Sequence, residues 1–171
     1  ALHLMRTGAA GVLVGFGGGS AHTTRKVLGV AVPMATAIAD VAAARRDYLD
    51  ESGGRYVHVI ADGGMARSGD VTKAIACGAD AVMVGSPLAR AAEAPGRGWH
   101  WGSEATHHEL PRGERVHVGT VGSLEQVLLG PSKVPDGSMN FVGALRRAMA
   151  TTGYSELKEF QRVEVVVDPG H

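Results

Sequence analysis

The sequence predicts an α/β fold built on a parallel sheet, and three features of the chain support this. Helical segments and short strands alternate along residues 1–97, an order that gives parallel strands joined by right-handed crossovers. The predicted strands are short continuous apolar runs, as expected for strands that are buried on both faces. Each strand is followed by a glycine-rich polar turn, which is where ligands bind in folds of this kind.

The first half of this alternation is predicted from glycine stops and apolar spacing. Residues 1–7 have the pattern of a helix that ends at Gly8, since glycine readily adopts the left-handed conformation that closes helices. Residues 11–15 form an apolar run typical of a buried strand. Residues 36–51 are rich in alanine, with apolar residues at helical spacing, and they predict a long helix whose charged residues, Arg45 among them, lie on a solvated face.

The second half repeats the same units. The predicted elements are a strand at 56–61, a helix at 68–77, a strand at 80–84 and a helix at 87–94. Ser68 is predicted as the N-cap of the third helix, because its hydroxyl can accept a hydrogen bond from a first-turn N–H group.

The sequence predicts three parts of one domain: the barrel-like part at residues 1–97, then a flap and a tail. Residues 98–138 are polar, rich in histidine and charge, and without a clear period, which predicts a long functional loop or flap. Helix resumes at 141–150 and briefly at 155–161, and an extended piece follows at 162–167; residues 139–171 are thus predicted to be a C-terminal helix and tail. Three strands leave two unpaired sheet edges, so we expect the chain to be the C-terminal part of a larger fold and not to form a stable monomer by itself.

Composition excludes several classes of protein. The 171 residues carry 17 basic and 17 acidic side chains, a balance that argues against partners such as nucleic acid or an anionic membrane, which bind through bulk charge. No apolar run approaches the roughly 20 residues that a membrane span needs. The single cysteine, Cys77, cannot form an internal disulfide, which favours a reducing compartment such as the cytoplasm. Its surroundings predict the role of a buried small hydrophobic residue.

Glycine is over-represented, with 25 residues, and its clusters follow the predicted strands. Gly63 and Gly64 can turn their N–H groups to a phosphate, assisted by the positive end of the helix that starts near Ser68. Gly85 and Ser86 follow the next strand and predict a second phosphate loop. The alternatives are a simple tight turn at 63–64 and a helix-capping role for Ser86.

Four histidines invite comparison with metal sites. His100, His107, His108 and His117 come without cysteines and without the i, i+4 spacing of helical zinc ligands. A solvated loop is therefore the favoured interpretation of all four.

Taken together, the loops resemble the IMP dehydrogenase and GMP reductase family. The similar segments cover nearly the whole chain: Gly15-Phe-Gly-Gly-Gly-Ser-Ala-His-Thr-Thr-Arg25, Val30-Ala-Val-Pro-Met-Ala-Thr-Ala-Ile38, Ile60-Ala-Asp-Gly-Gly64, Val82-Met-Val-Gly-Ser-Pro-Leu-Ala89, Glu93-Ala-Pro-Gly96, Val134-Pro-Asp-Gly137 and Gly143-Ala-Leu-Arg-Arg-Ala-Met149. The resemblance implies the last three βα units of a (β/α)₈ barrel, an NAD cofactor, a purine nucleoside monophosphate as substrate and a homotetramer.

The resemblance also assigns roles to residues. It implies that Ser20, Gly63, Gly64, Gly85 and Ser86 hold the phosphate. It implies that Asp62 holds the ribose hydroxyls, with a loop or capping aspartate as the alternative. Thr24 occupies a position that the family uses in proton handling. The backbone carbonyls of Gly17, Gly19 and His22 match positions that hold a monovalent cation such as K⁺ in the dehydrogenases.

His22 departs from the family pattern, because the family places its catalytic cysteine there. The family thiolate attacks C2 of the purine and a hydride then leaves to NAD; imidazole is a weaker and larger nucleophile. A second departure is in the flap, where residues 119–134 lack the Arg-Tyr pair that activates water in the dehydrogenases. Arg112-Gly113 matches an Arg-Gly pair earlier in the family flap.

Three functions follow from this pattern. The first is an IMP dehydrogenase-like oxidoreductase that converts IMP to XMP with NAD in guanine nucleotide synthesis, with turnover in doubt because of His22. The second is a non-catalytic nucleotide-binding paralogue with a regulatory or assembly role. The third is a GMP reductase-like enzyme.

Overall fold

The computed structural model describes residues 1–102 and 114–168. Its helices are α1 Leu2–Arg6, α2 Thr24–Leu28, α3 Met34–Glu51, α4 Ser68–Ala76, α5 Ser86–Ala89, α6 Leu124–Leu129, α7 Phe141–Thr151 and α8 Leu157–Phe160. Its strands are β1 Gly11–Val14, β2 His58–Asp62, β3 Ala81–Met83, β4 Trp99–His100 and β5 Val116–His117. His107, His108 and the Arg112-Gly113 pair lie outside the described residues. Within those that are described, no helix is long and apolar enough to span a bilayer.

The main sheet confirms the predicted α/β fold with parallel strands. It has the order β1-β2-β3, and both pairs of neighbours run parallel, with Leu13 opposite Ile60 and Ala61 opposite Val82. The long helix α3 lies in the connection from β1 to β2, and α4 lies in the connection from β2 to β3. A separate two-stranded antiparallel ribbon pairs β4 with β5, with Trp99 opposite His117.

The two faces of the sheet have different environments. Side chains alternate between faces along a strand, and those of Val12, Val14 and Val59 are buried against helices in the main core. The opposite face carries Leu13 and Met83, which are 59% and 47% exposed. One side of the sheet is thus packed while the other presents apolar side chains.

Helix α6 and the ribbon lie in a segment that the sequence predicts to be a long loop. The Ser123 hydroxyl accepts a hydrogen bond from the N–H of Gln126 at 3.2 Å, while the Gln126 side-chain oxygen accepts the Ser123 N–H at 3.1 Å. This is a capping box. Val127 of α6 is fully buried with Val71 and Phe141 in a second core cluster, so tertiary packing supports a helix that is too short to show a period.

Some predicted element ends also differ. Arg67, not Ser68, occupies the N-cap position of α4, and its N–H donates to the Asp70 carboxylate at 3.0 Å. Helix α5 ends at Ala89, well short of the predicted 94, and α2 was not predicted.

A buried charge cluster joins four elements at the end of the sheet opposite the glycine loops. Asp80, directly before β3, accepts hydrogen bonds from Arg45 of α3 at 2.6 Å and from the Val59 N–H of β2 at 2.9 Å. Tyr56 donates to it at 2.5 Å. From the C-terminal region, Lys158 pairs with the same carboxylate, and Gln161 donates to it at 3.1 Å.

This cluster corrects the prediction for Arg45. Its side chain is only 9% exposed and lies on the buried face of α3 with Ile38 and Ala42, while the Asp80 carboxylate is 7% exposed. Burial by itself would raise the pKa of Asp80, but the hydrogen bonds from Lys158, Tyr56 and Val59 outweigh burial and hold the pKa well below its usual range. Asp80 is therefore ionised in the folded protein.

We expect Asp80→Asn to lower the free energy of unfolding by about 3–5 kcal/mol, the range for removing one partner of a buried ion pair. The physical reason is that Arg45 would keep its charge in a buried site without a carboxylate. Chemical denaturation of the full-length protein measures the change. Glu51→Gln is the matched control: it breaks the exposed Arg6–Glu51 pair, which solvent screens, and an equal loss there would contradict the assignment.

The same variant tests a pH dependence. Because the pKa of Asp80 is lower in the folded than in the unfolded chain, its ionisation stabilises the fold above about pH 4, and this stabilisation is lost as the pH falls through the folded pKa. Stability of the parent protein should therefore decrease below about pH 4 more steeply than that of Asp80→Asn. Parallel acid limbs for the two proteins would show that Asp80 does not contribute.

Candidate functional site

The loops that follow β1, β2 and β3 line one cavity of about 580 Å³. Carboxyl ends of parallel strands meet at one edge of a sheet, so the loops that follow them are brought together there. The predicted site residues that line this cavity are Gly17, Gly19, Ser20, His22, Thr24, Asp62, Gly63, Gly64, Gly85 and Ser86. The fold thus brings all of the predicted site residues to one place.

The first and second loops touch through their backbones. Gly15 has a φ of +145°, and a Cβ atom there would lie 1.8 Å from the carbonyl oxygen of Asp62. A Cβ atom on Gly18 would lie 3.2 Å from the carbonyl carbon of Gly63. Only glycine allows the approach at residue 15, so this position lets the loops after β1 and β2 lie in contact beside the cavity.

The first and third loops are joined by two hydroxyl groups. Ser20 Oγ and Ser86 Oγ lie 2.5 Å apart, although they are 66 residues apart in the sequence. Gly85 occupies the N-cap position of α5 and Ser86 is its first residue, so the alternative prediction of Ser86 as a helix cap is wrong. Both hydroxyls instead meet at the cavity, where each can donate to or accept from a ligand.

The start of α4 does not contribute to this cavity. The N–H of Ser68 donates to the Gly137 carbonyl at 2.8 Å, and Ser68 is absent from the cavity lining. The prediction that the positive end of this helix assists phosphate binding is therefore not supported. Gly63 and Gly64, with φ of +114° and +76°, form this wall together with Met65 and Ala66.

His22 and Thr24 line the cavity, whereas the residues that alternate with them along the chain are buried. Ala21 and Thr23 are buried, at 1% and 8% exposed, which leaves the residues after each of them to line the cavity. The His22 N–H donates to the Gly19 carbonyl at 3.1 Å. Thr24 is the first residue of α2, and a Cβ atom on Gly17 would lie 3.2 Å from its Cβ.

His100 is a lining residue that the sequence analysis missed. Strand β4 places its imidazole in the cavity, where Cε1 and Nε2 lie 3.2 and 3.4 Å from the position of a Cβ atom on Gly85. Burial lowers the pKa of His100, and the nearby His22 imidazole lowers it further. The prediction of a solvated loop histidine is wrong here, because β4 packs against α5 and the Gly85 loop before it, and no local pattern signals that contact.

Charge in the cavity is sparse. Among the described residues that line it, Asp62 is the only carboxylate, and neither lysine nor arginine is present. No group of three or more His, Cys, Asp or Glu side chains that could hold a metal occurs among residues 1–102 and 114–168. Cys77 lies outside the cavity and packs against the main core, where burial raises the pKa of its thiol, as expected for a structural role.

A second cavity of about 520 Å³ adjoins the first. The two share Gly85 and His100. The lining of the second cavity is mainly apolar and includes Leu88, Trp99 and Trp101. The mainly apolar lining thus adjoins the polar cavity at Gly85 and His100.

We expect Gly15→Ala to lower the free energy of unfolding by about 2–5 kcal/mol, from strain at positive φ and from overpacking against Asp62. Thermal or chemical denaturation measures the loss. Gly69→Ala is the matched control, since a Cβ atom there meets no atom within 4 Å, and helical alanine is favoured over glycine. Equal stability of Gly15→Ala and its parent would contradict the close approach.

Comparisons with known proteins agree with this architecture. The family model described as IMP dehydrogenase / GMP reductase domain matches residues 1–113. An uncharacterized oxidoreductase of Mycolicibacterium smegmatis is 65% identical over 98% of this chain and 45% of its own length. The inosine-5′-monophosphate dehydrogenase of Aquifex aeolicus is 37% identical over 92% of this chain and 34% of its own length.

A solved structure is also similar. The IMP dehydrogenase/GMP reductase-like protein of Corynebacterium glutamicum superposes with a TM-score of 0.89 at 59% identity, over 98% of this chain and 44% of that one. The chain thus spans less than half the length of these relatives. Motifs, sheet and family model agree, and the chain belongs to the IMP dehydrogenase / GMP reductase family.

Proposed function

We propose that the 580 Å³ cavity binds a purine nucleoside 5′-monophosphate and that the protein acts on it as an NAD-dependent oxidoreductase of the IMP dehydrogenase kind, with turnover slowed by His22. The observation that carries the proposal is the convergence of three glycine loops, joined by the Ser20–Ser86 contact and the Gly15–Asp62 approach. The names of the relatives, an uncharacterized oxidoreductase and an IMP dehydrogenase, support the same reaction class.

The binding geometry assigns each end of the nucleotide. The phosphate lies among the N–H groups of Gly63, Gly64 and Gly85 and the hydroxyls of Ser20 and Ser86, which together supply the several donors that a phosphate needs. Asp62 lies at the end of β2 beside this group, and its two carboxylate oxygens can accept from both ribose hydroxyls.

The exposed sheet face supports the proposal that the chain forms the last three units of a (β/α)₈ barrel. Leu13 and Met83 point away from the helices and are largely exposed, as interior barrel residues would be in the absence of the facing strands. In this arrangement residues 98–138 are the flap and residues 139–171 the C-terminal helix and tail. The relatives are more than twice as long as this chain, which leaves room for the remaining units.

NAD fits the adjoining apolar cavity by the chemistry of its lining. Leu88, Trp99 and Trp101 offer flat and aliphatic surfaces next to His100, and these residues would hold the nicotinamide ring. When bound, NAD accepts a hydride. The chain's own residues hold the nucleotide, exclude water and place residue 22 within the nucleotide cavity.

A monovalent cation such as K⁺, held by the carbonyls of Gly17, Gly19 and His22, is a further part of the proposal. The Gly19 carbonyl already accepts the His22 N–H, so a cation there would share that oxygen's second lone pair. From the family resemblance we also propose that the protein is a homotetramer and that it is cytoplasmic.

A second candidate function is favoured by His22 itself. In the family reaction the thiolate adds to C2 of the purine, a hydride leaves C2 for NAD, and water then cleaves the C2–S bond. His22 stands in the cavity where that sulfur is needed, while the phosphate loops are retained. A nucleotide-binding paralogue without turnover, with a regulatory or assembly role, has this combination of features. A GMP reductase-like activity is a third alternative that shares the same cavity.

We expect the parent protein to bind IMP and to turn it over slowly or not at all, and His22→Cys to restore a single-turnover burst of NADH, because the thiolate is the stronger nucleophile near neutral pH. Stopped-flow absorbance measures the burst, and mass spectrometry measures a covalent purine adduct on residue 22. His117→Cys is the matched control, because it places a cysteine on the exposed face of the ribbon.

Two outcomes separate the candidate functions. Steady NADH production by the parent at about 1 s⁻¹ or faster, abolished by His22→Ala, would make the imidazole a working catalyst. No burst and no adduct with His22→Cys, despite IMP binding, would favour the non-catalytic paralogue.

We also expect Asp62→Ala to weaken IMP binding by about 1.5–3 kcal/mol, the range for hydrogen bonds to a charged group. Isothermal titration calorimetry measures the change. Asp47→Ala, on the exposed face of α3 and outside the cavity, should leave the affinity unchanged. Equal affinities of Asp62→Ala and the parent would show that the carboxylate does not hold the ribose.

A further inference from the structure

We propose that His100 is a phosphate ligand, which donates a hydrogen bond from its imidazole to the 5′-phosphate of the nucleotide beside Gly85 and Ser86. The inference rests on the proposed function and names a residue that the phosphate loops by themselves do not supply. A phosphate ligand at this position makes the protein bind nucleoside monophosphates more tightly than nucleosides.

The ribbon gives His100 its direction. Trp99 pairs across the ribbon with the exposed His117, and its ring contacts the His117 imidazole at a centroid distance of 4.9 Å. Because successive side chains of a strand point to opposite faces, His100 points the other way, into the cavity. Gly98 makes this possible, since a Cβ atom there would lie 3.2 Å from the backbone of Gly119.

The His100 imidazole lies against the loop that follows β3, which carries Gly85 and Ser86. Its Cε1 and Nε2 atoms lie 3.2 and 3.4 Å from the Cβ position of Gly85, so any larger residue at 85 would displace the ring. The next residue, Ser86, meets the Ser20 hydroxyl at 2.5 Å. The imidazole therefore lies next to the place where two of the three loops meet.

The described lining of the cavity offers a phosphate few charged partners. A phosphate monoester carries close to two negative charges at neutral pH, and the described lining adds the negative charge of Asp62 without a lysine or arginine. The side chains of this lining that can carry positive charge are those of His22 and His100. His100 is the one seated on Gly85, and even as a neutral ring an imidazole keeps one N–H donor.

The test compares IMP with inosine, which lacks only the phosphate, on the full-length protein by calorimetry or ligand-observed NMR. We expect His100→Ala to weaken IMP binding about 10- to 100-fold and to leave inosine binding unchanged. His100→Gln, whose amide N–H can replace the imidazole donor, should recover part of the loss. His117→Gln is the matched control and should change neither ligand, since that residue lies outside the cavity.

The outcomes separate this inference from the proposed function. An equal loss of IMP and inosine affinity, or an unchanged IMP affinity in both His100 variants, overturns the role of His100 while the nucleotide site stands. Equal affinity of the parent for IMP and inosine, or no binding of IMP, overturns the phosphate cradle and His100 with it. Melting curves of each variant establish folding, and if His100→Ala unfolds, the IMP-to-inosine ratio of His100→Gln decides, with an unchanged ratio counting against the proposal.

Discussion

Asp80 connects several parts of the structure, because its carboxylate is shared by groups from α3, the start of β2 and the C-terminal segment around α8. Its backbone N–H also donates to the Val59 carbonyl at 2.8 Å, so backbone and side chain together set the pairing of β2 with β3. A buried Arg45 without this carboxylate would carry an uncompensated charge, which is costly in a protein interior. The alignment of the strands therefore depends on this one anion.

The two ends of the sheet have different roles: the Asp80 cluster holds elements together at one end, and the glycine loops line the cavity at the other. The Asp80 cluster closes one end with ion pairs and aromatic contact, while the loops at the other end are rich in glycine. Glycine at 15, 18, 63 and 64 allows backbones to touch, and it leaves amide groups where side chains would otherwise fill the cavity. Ser20 and Ser86 meet at this second end.

His22 separates two properties that the family ordinarily combines. Under the proposed function, nucleotide binding depends on the loops, which are retained and converge, and turnover depends on a strong nucleophile at residue 22, which is an imidazole here. The second imidazole, His100, lies in the same cavity, whose described lining has neither lysine nor arginine. Under that proposal, a site of this composition is better suited to holding a monophosphate than to forming a covalent bond with its base.

How much the sequence determines depends on how far apart the interacting residues lie. The strands, the long helix and the glycine loops are predictable because their signals are local: short apolar runs, helical spacing and glycine directly after a strand. The capping box of α6 at Ser123 and Gln126 was also a local signal, although its helix is too short for a period to show. Tertiary structure alone decided that Arg45 is buried, since its partner Asp80 lies 35 residues away. It alone decided that Lys158, 78 residues from Asp80, closes the same cluster, and that the β4–β5 ribbon delivers His100 to Gly85. Such contacts are set by the packing of whole elements, because the residues next to a side chain in the sequence do not show which distant residue it will contact.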